Sequence, residues 1–223
     1  MKKVLISVFT LLSTISYSQK LGALGIGQTN NTKYHTVPEQ IGLEGNINYF
    51  EEFQPGIVFY KDSTQIDVPL LNYNLLMKKV TLKLNDGEFF LPNENRIDSF
   101  KIADKTFVSN SKISSKRAFC EVLYYSKNLE LIKQSNAQIV TGKQGTGMTP
   151  TTPDRVKISS SYYLLKDDNQ YKLELSKSEI YEVLGDEERL DKFRKEQKLK
   201  LKKEEDFIRL LTYYDQTILS KKM

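Results

Sequence analysis

The chain has 223 residues but only one cysteine, one histidine, six prolines and no tryptophan. With Cys120 as the sole thiol, an internal disulfide is excluded, and stability must come from packing and hydrogen bonds. With His35 as the sole imidazole, metal centres built on several histidines are excluded. His35 also lies among Gly, Asn and Thr, where nothing holds a general base in place. Past residue 18 no apolar run approaches the roughly 20 residues of a membrane-crossing helix. Strands of about 9–11 residues, as a membrane-spanning barrel requires, are too few. Charge of one sign is equally scarce. There are 33 Lys and Arg against 28 Asp and Glu, without a concentrated basic face, which argues against a nucleic-acid partner.

The opening residues are more informative. Lys2 and Lys3 precede an apolar and hydroxyl stretch over residues 4–15, followed by Ser16-Tyr17-Ser18. This reads as a secretory signal peptide over residues 1–18, with small Ser16 and Ser18 suiting a peptidase cut before Gln19. Without Lys2 and Lys3 the balance is 31 against 28, so part of the positive charge belongs to that segment. No cysteine follows the cut, so no lipid attachment is expected. The expectation is export, to the periplasm, the outer membrane or the exterior.

Residues 19–48 mix Gly with Asn, Thr and Gln without an apolar period and predict a flexible arm. From Gly56 the character changes. Ile57-Val58-Phe59-Tyr60 and the alternation of Ile66, Val68 and Leu70 predict two strands, with Pro69 placing the second at an edge or near its end. Val80, Leu82 and Leu84, then Asn85-Asp86-Gly87, then Phe89-Phe90-Leu91 make the clearest hairpin, because Asp-Gly supplies positive φ. Residues 97–102 and 106–108 pair around Ala103-Asp104-Lys105, giving a meander. Further strands fall at 118–125, 129–134, 157–166 and 171–175, the last two joined at Asp167-Asp168-Asn169. Residues 141–154, rich in Thr, Gly and Pro, predict a mobile surface loop.

Past Leu175 the period lengthens towards 3.6. Ser176 with Glu179 fits a capping box, Gly185 stops that helix, and Asp186 is placed to cap the next. Phe207, Leu210, Leu211, Tyr214 and Ile218 form an apolar stripe in a third. The fold class is therefore α+β: an antiparallel β sandwich or small barrel over 49–175, followed by three short helices over 176–223.

The run GIVFYKDSTQIDVPLLNYNLLMKKVTLKLNDGEFFLPNENRIDSFKIADKTFV resembles a module of uncharacterised exported envelope proteins of Gram-negative bacteria. Its marks are a G-x-V-aromatic opening, V-P-L followed by L-N-Y-N, one hairpin, and a second ending in F-V. The helical close, EERLDKFRKEQKLKLKKEEDFIRLLTYYDQTIL, is similar to the ends of those proteins. The resemblance implies an extracytoplasmic β domain with C-terminal helices. It implies no activity, because its motifs are apolar and turn residues.

Candidate chemistry is thin. Cys120 lies beside Phe119 and Val122 and reads as a small buried hydrophobe, since reactive thiolates need an electropositive, accessible niche. Gly142-Lys143-Gln144-Gly145-Thr146-Gly147 lacks the G-x-x-x-x-G-K-[ST] order of a phosphate loop. Asp167 and Asp168 would need further oxygen ligands to hold calcium. Asp86, Glu88, Glu94 and Asp98 fall near strand ends, where a carboxylate pair acts on a glycosidic bond only at a set separation. The cations Lys192, Arg194, Lys195, Lys198, Lys200, Lys202 and Lys203 are interrupted by Glu196 and read as a solvated face. No cofactor is expected. The paired tyrosines remain. Tyr124-Tyr125 and Tyr162-Tyr163 each put one ring on either side of a strand, and their outward members are the candidate contacts for an envelope protein or a glycan. The expectation is an exported, non-enzymatic binding or assembly component. The alternatives are a small barrel or sandwich with an apolar or glycan pocket, and a hydrolase using carboxylates alone.

Overall fold

A computed structural model describes residues 42–85, 87–109, 118–147 and 150–219. His35, Asp86 and the expected signal segment lie outside the described residues. The strands are β1 (Leu43–Glu44), β2 (Gln54–Tyr60), β3 (Gln65–Asn74), β4 (Lys79–Leu84), β5 (Gly87–Phe90), β6 (Ile97–Ile102), β7 (Lys105–Ser109), β8 (Phe119–Tyr125), β9 (Leu129–Val140), β10 (Asp154–Lys166) and β11 (Asn169–Leu173). Three helices follow: α1 (Lys177–Leu184), α2 (Glu187–Glu196) and α3 (Glu204–Tyr213), the last running on into a π-helical turn over Tyr214–Leu219.

All strands join one sheet in the order β1-β10-β9-β8-β7-β6-β2-β3-β4-β5, with β11 also on β10. The α+β class is as the patterning predicts, and the strand path is open. The expected meander is interrupted at one point. β6 returns to pair with β2 and not with its sequence neighbour β5. Pro69 sits inside β3, not at its end. The register between Gln54 and Gly56 shifts there, so a bulge absorbs the missing donor and the strand continues to Asn74.

Leu43 and Glu44 fall in the stretch read as an arm, yet they pair in parallel with Asp154 and Arg155 as β1. Gly45, at φ +100, then turns the chain off β10, and residues 46–50 cross to β3 as a strap. The L-N-Y-N run receives it. The Asn72 amide bonds both ways to the Phe50 backbone, at 3.2 and 3.0 Å, and Tyr73 O accepts from Tyr49 N at 2.8 Å. Asn72 is fully buried, so a paired backbone satisfies it where water cannot. The sheet also curls, since the Phe119 amide donates to the Tyr73 hydroxyl at 3.1 Å.

Residues 141–147 and 150–154 prolong the β9–β10 hairpin with side-chain bonds. Gly142 N donates to Asp154 Oδ1, Lys143 N to Thr152 Oγ1 and Gly145 N to Thr151 Oγ1, at 2.8 to 3.1 Å. Two of the three acceptors are threonines of the segment itself. Asp167 and Asp168 both take positive φ, the geometry of a tight hairpin turn.

Two apolar cores result. The first is lined by β2, β3, β4, β6 and β7 with Phe119 and Ala137. In it Phe100 and Phe107 stack at 4.8 Å, and Phe119 meets Phe100 edge-on at 4.9 Å. The second packs the helices on Leu129, Leu131, Leu164 and Leu173. The predicted stripe of Phe207, Leu210, Leu211, Tyr214 and Ile218 is wholly buried in it. Ser176 Oγ accepts from Glu179 N at 3.5 Å, and Gly185 ends α1 at φ +70. Asp186 meets the expectation in part. It holds the N-cap position of α2, and its carbonyl accepts from Leu190 N at 3.2 Å, but its side chain makes no cap bond and pairs with Arg189.

Candidate functional site

A single same-face row crosses eight strands through residues directly opposite one another: Ile66, Val58, Phe100, Phe107, Glu121, Lys133, Tyr162 and Leu173. Opposed residues of an antiparallel pair share a face. The row thus starts in the first core, turns polar over β8, β9 and β10, and ends in the second. Glu121 is 3% exposed.

Three groups meet the Glu121 carboxylate: the Tyr49 hydroxyl from the strap, the Lys105 amine from β7, and Lys133 Nζ at 3.7 Å. Lys133 reaches on to Glu204, in the first turn of α3, at 2.9 Å, and the Tyr162 hydroxyl donates to the same carboxylate at 3.0 Å. Strap, sheet and helices are therefore tied at one charge-balanced joint of two carboxylates and two amines. Burial pushes the Tyr162 phenol up to about 12, with Glu204 adding to it. Burial and then Glu121 raise Tyr49 further. Burial alone would lower Lys105, but the bond to Glu121 and its charge outweigh that and leave the amine above its ordinary value.

A second polar contact sits at the π-helical turn. Asp215 is buried and accepts from the Tyr124 hydroxyl at 2.8 Å and from Asn128 Nδ2 at 3.2 Å. Burial pushes the Asp215 carboxyl up, yet the bonds from Ser126, Tyr124 and Asn128 together hold it below the ordinary carboxylate range. Burial and Asp215 raise the Tyr124 phenol to about 12. Beside this turn, an open cleft of about 350 Å³ between the β8–β9 and β10–β11 hairpin tips is lined mainly by polar groups, among them Ser126, Asn128, Lys166 and Asp167.

The four candidate tyrosines thus separate. Tyr124 and Tyr162 spend their hydroxyls on Asp215 and Glu204, inside the fold. Tyr163 is half-buried, and Tyr125, 75% exposed, is the most open to solvent. The register puts Tyr124 with Tyr162 on one face of the sheet and Tyr125 with Tyr163 on the other. Cys120 is buried, and burial pushes its thiol up to about 11. Glu88, Glu94 and Asp98 lie on β5, a 3-10 turn and β6, and Glu94 accepts from the Val80 amide at 3.1 Å. In the basic segment, Arg194 and Lys195 pair with Asp191 on their own helix. Among the described residues no cluster of His, Cys, Asp and Glu is suited to a metal ion, and no helix is long and apolar enough to cross a membrane.

The joint around Glu121 is what sequence reasoning missed. Its signal is one carboxylate inside Ala118-Phe119-Cys120-Glu121-Val122-Leu123 and one amine inside Leu131-Ile132-Lys133. A lone charge in a strand buried on both faces calls for a partner. Comparison with protein-family models, curated proteins and solved structures finds no match to the chain.

Proposed function

We propose that the chain is an exported, non-enzymatic component of a bacterial envelope that works by binding a partner at its surface. The observation that carries this reading is a pair of exposed aliphatic side chains on β9 and β10. Ile139 and Ile158 are 43% and 49% exposed, and they are same-face diagonal neighbours, since Val156 faces Ile139 and Ala137 faces Ile158. Apolar groups held side by side in water on a rigid strand pair favour contact with another molecule. The first core is packed with aromatic rings, one pair stacked and the others tilted or edge-on, which supports surface binding over binding within a barrel. Export rests on the first eighteen residues and on the resemblance to exported envelope proteins. The curl of the sheet and its strap favour a partly closed barrel over a sandwich.

Two measurements test this. Expressed with its own N-terminus in a Gram-negative host, the protein recovered from the envelope fraction should begin at Gln19. An intact N-terminus on cytoplasmic protein overturns the reading. A photo-crosslinker in place of Ile158 should yield a discrete adduct in intact cells, whereas one in place of exposed Asp98 should not.

A further inference from the structure

The two edges of β10 are not alike. One is paired with β9 along its full length, from Arg155 to Lys166. The other is shared: β1 takes Asp154 and Arg155, β11 takes residues 162–166, and between them residues 156–161 have no strand partner among the described residues. At about 3.3 Å per residue this notch is roughly 20 Å long. Both flanking strands are held out of it. Gly45 turns the strap away, and a Cβ there would stand 3.2 Å from Val156 Cβ. At the other end Glu174 N donates to Glu179 Oε2 at 2.6 Å, which starts α1 where β11 would otherwise continue.

An open edge offers unpaired amides and carbonyls to any extended chain. Two copies do not pair through this edge. The edge is recessed by one strand width, about 4.8 Å, between β1 and β11, so two such edges cannot meet. A single extended segment fits, and the faces specify its side chains. On one face stand Ile158 and Ser160, next to exposed Ile139. On the other stand Lys157, Ser159 and Ser161, flanked by Arg155 and, across from Tyr163, Lys172. Behind Lys157, Ser159 and Ser161, β9 presents the neutral amides Gln138, Asn136 and Gln134. The nearest carboxylate in register is Glu44, beside Arg155, and none of the three cations forms an ion pair among the described residues.

We propose that the notch over residues 156–161 receives an extended peptide of a partner protein, with acidic side chains alternating with apolar ones, added as a strand between β1 and β11. The assignment rests on the binding reading above and names its site and partner class. Carboxylates lie on the Lys157 face, apolar groups lie against Ile158 and Ile139, and the backbone completes the ladder.

The test uses the full-length protein and capped, fluorescently labelled hexapeptides alternating Val with Glu or Val with Lys. Anisotropy should show the Glu peptide binding at least tenfold more tightly than the Lys peptide, and Lys157→Glu should reverse the order. N-methylation of alternate peptide amides should abolish binding for one of the two phases of methylation. Hydrogen exchange should show new protection confined to residues 156–161. Equal binding of the two peptides, or none, overturns the proposal. So does protection already present in the free chain that deletion of residues 19–41 removes, because the chain's own segment then fills the notch. Failure here leaves export and crosslinking at Ile158 to be decided by their own measurements.

Discussion

Phe107 and Glu121 stand directly opposite one another on β7 and β8, so a ring of the aromatic core and a buried carboxylate share one face of the sheet. A charge in that position is tolerated because Lys105, Lys133 and Tyr49 surround it. Without Glu121, Lys133 would keep Glu204, but the Tyr49 hydroxyl and the Lys105 amine, 34% exposed, would lose their partner, at a cost of about 1–3 kcal/mol.

Glu121→Leu should therefore lower stability by about that amount in urea denaturation at neutral pH. Adding Lys105→Met and Lys133→Leu should recover most of the loss, since a fully apolar replacement leaves no orphaned charge. Glu204 is 27% exposed and should tolerate the change through water. Equal stability of the single and triple variants would show that the joint is not coupled.

Much of the architecture was legible because it depends on local pattern. The alternation of Val80, Leu82 and Leu84, the positive φ available to Gly87, and the 3.6-residue spacing of the Phe207 to Ile218 stripe are each set by neighbours in sequence. The joint was not legible, because Tyr49, Lys105, Glu121, Lys133, Tyr162 and Glu204 come from six separate segments. Nor was the strap. Asn72 and Tyr73 look like ordinary strand residues until the backbone of Tyr49 and Phe50 is laid across them. The partners of the paired tyrosines were hidden for a related reason: alternation shows that Tyr124 and Tyr162 leave the strand on a given face, but not that Asp215 and Glu204 wait there.

Gly56 lies where β2 is flanked by β3 and β6. A Cβ there would stand 2.5 Å from Lys101 O and 2.7 Å from Leu71 Cδ2. The carbonyl belongs to the ladder and cannot yield without parting the strands. Gly56→Ala should cost about 1–3 kcal/mol, the range for overpacking a close-packed interior. In urea the transition midpoint should fall with its slope unchanged, and an unaltered midpoint would contradict the close approach.

Cys120 offers a probe of opening. With its thiol pushed up to about 11 by burial, only about one molecule in a thousand carries a thiolate at pH 8. The side chain is also closed to solvent. A disulfide reagent at pH 8 should therefore leave the native protein unlabelled over minutes and modify one thiol per chain at once in denaturant. Fast labelling of native protein would show β8 to be open.

Alkaline titration reads both cores together. Burial raises the phenols of Tyr60, Tyr124 and Tyr162 to about 12, and those of Tyr49 and Tyr73 higher still, against an unfolded value of 10.0. The neutral phenol is the form the fold prefers, so the native state binds protons that the unfolded chain releases. Stability from these groups is complete below pH 10 and is lost as pH rises from 10 towards 12. Denaturation midpoints should be flat on the neutral side of that window and fall steeply within it. These five tyrosines should show phenolate absorbance only near the top of the window and beyond it, or on unfolding. Tyr162→Phe should remove one late phenolate and leave Lys133 on Glu204. If every tyrosine ionised together near pH 10 while the protein stayed folded, the buried hydroxyls would have to be in contact with water, and neither the joint at Glu121 nor the contact at Asp215 would stand.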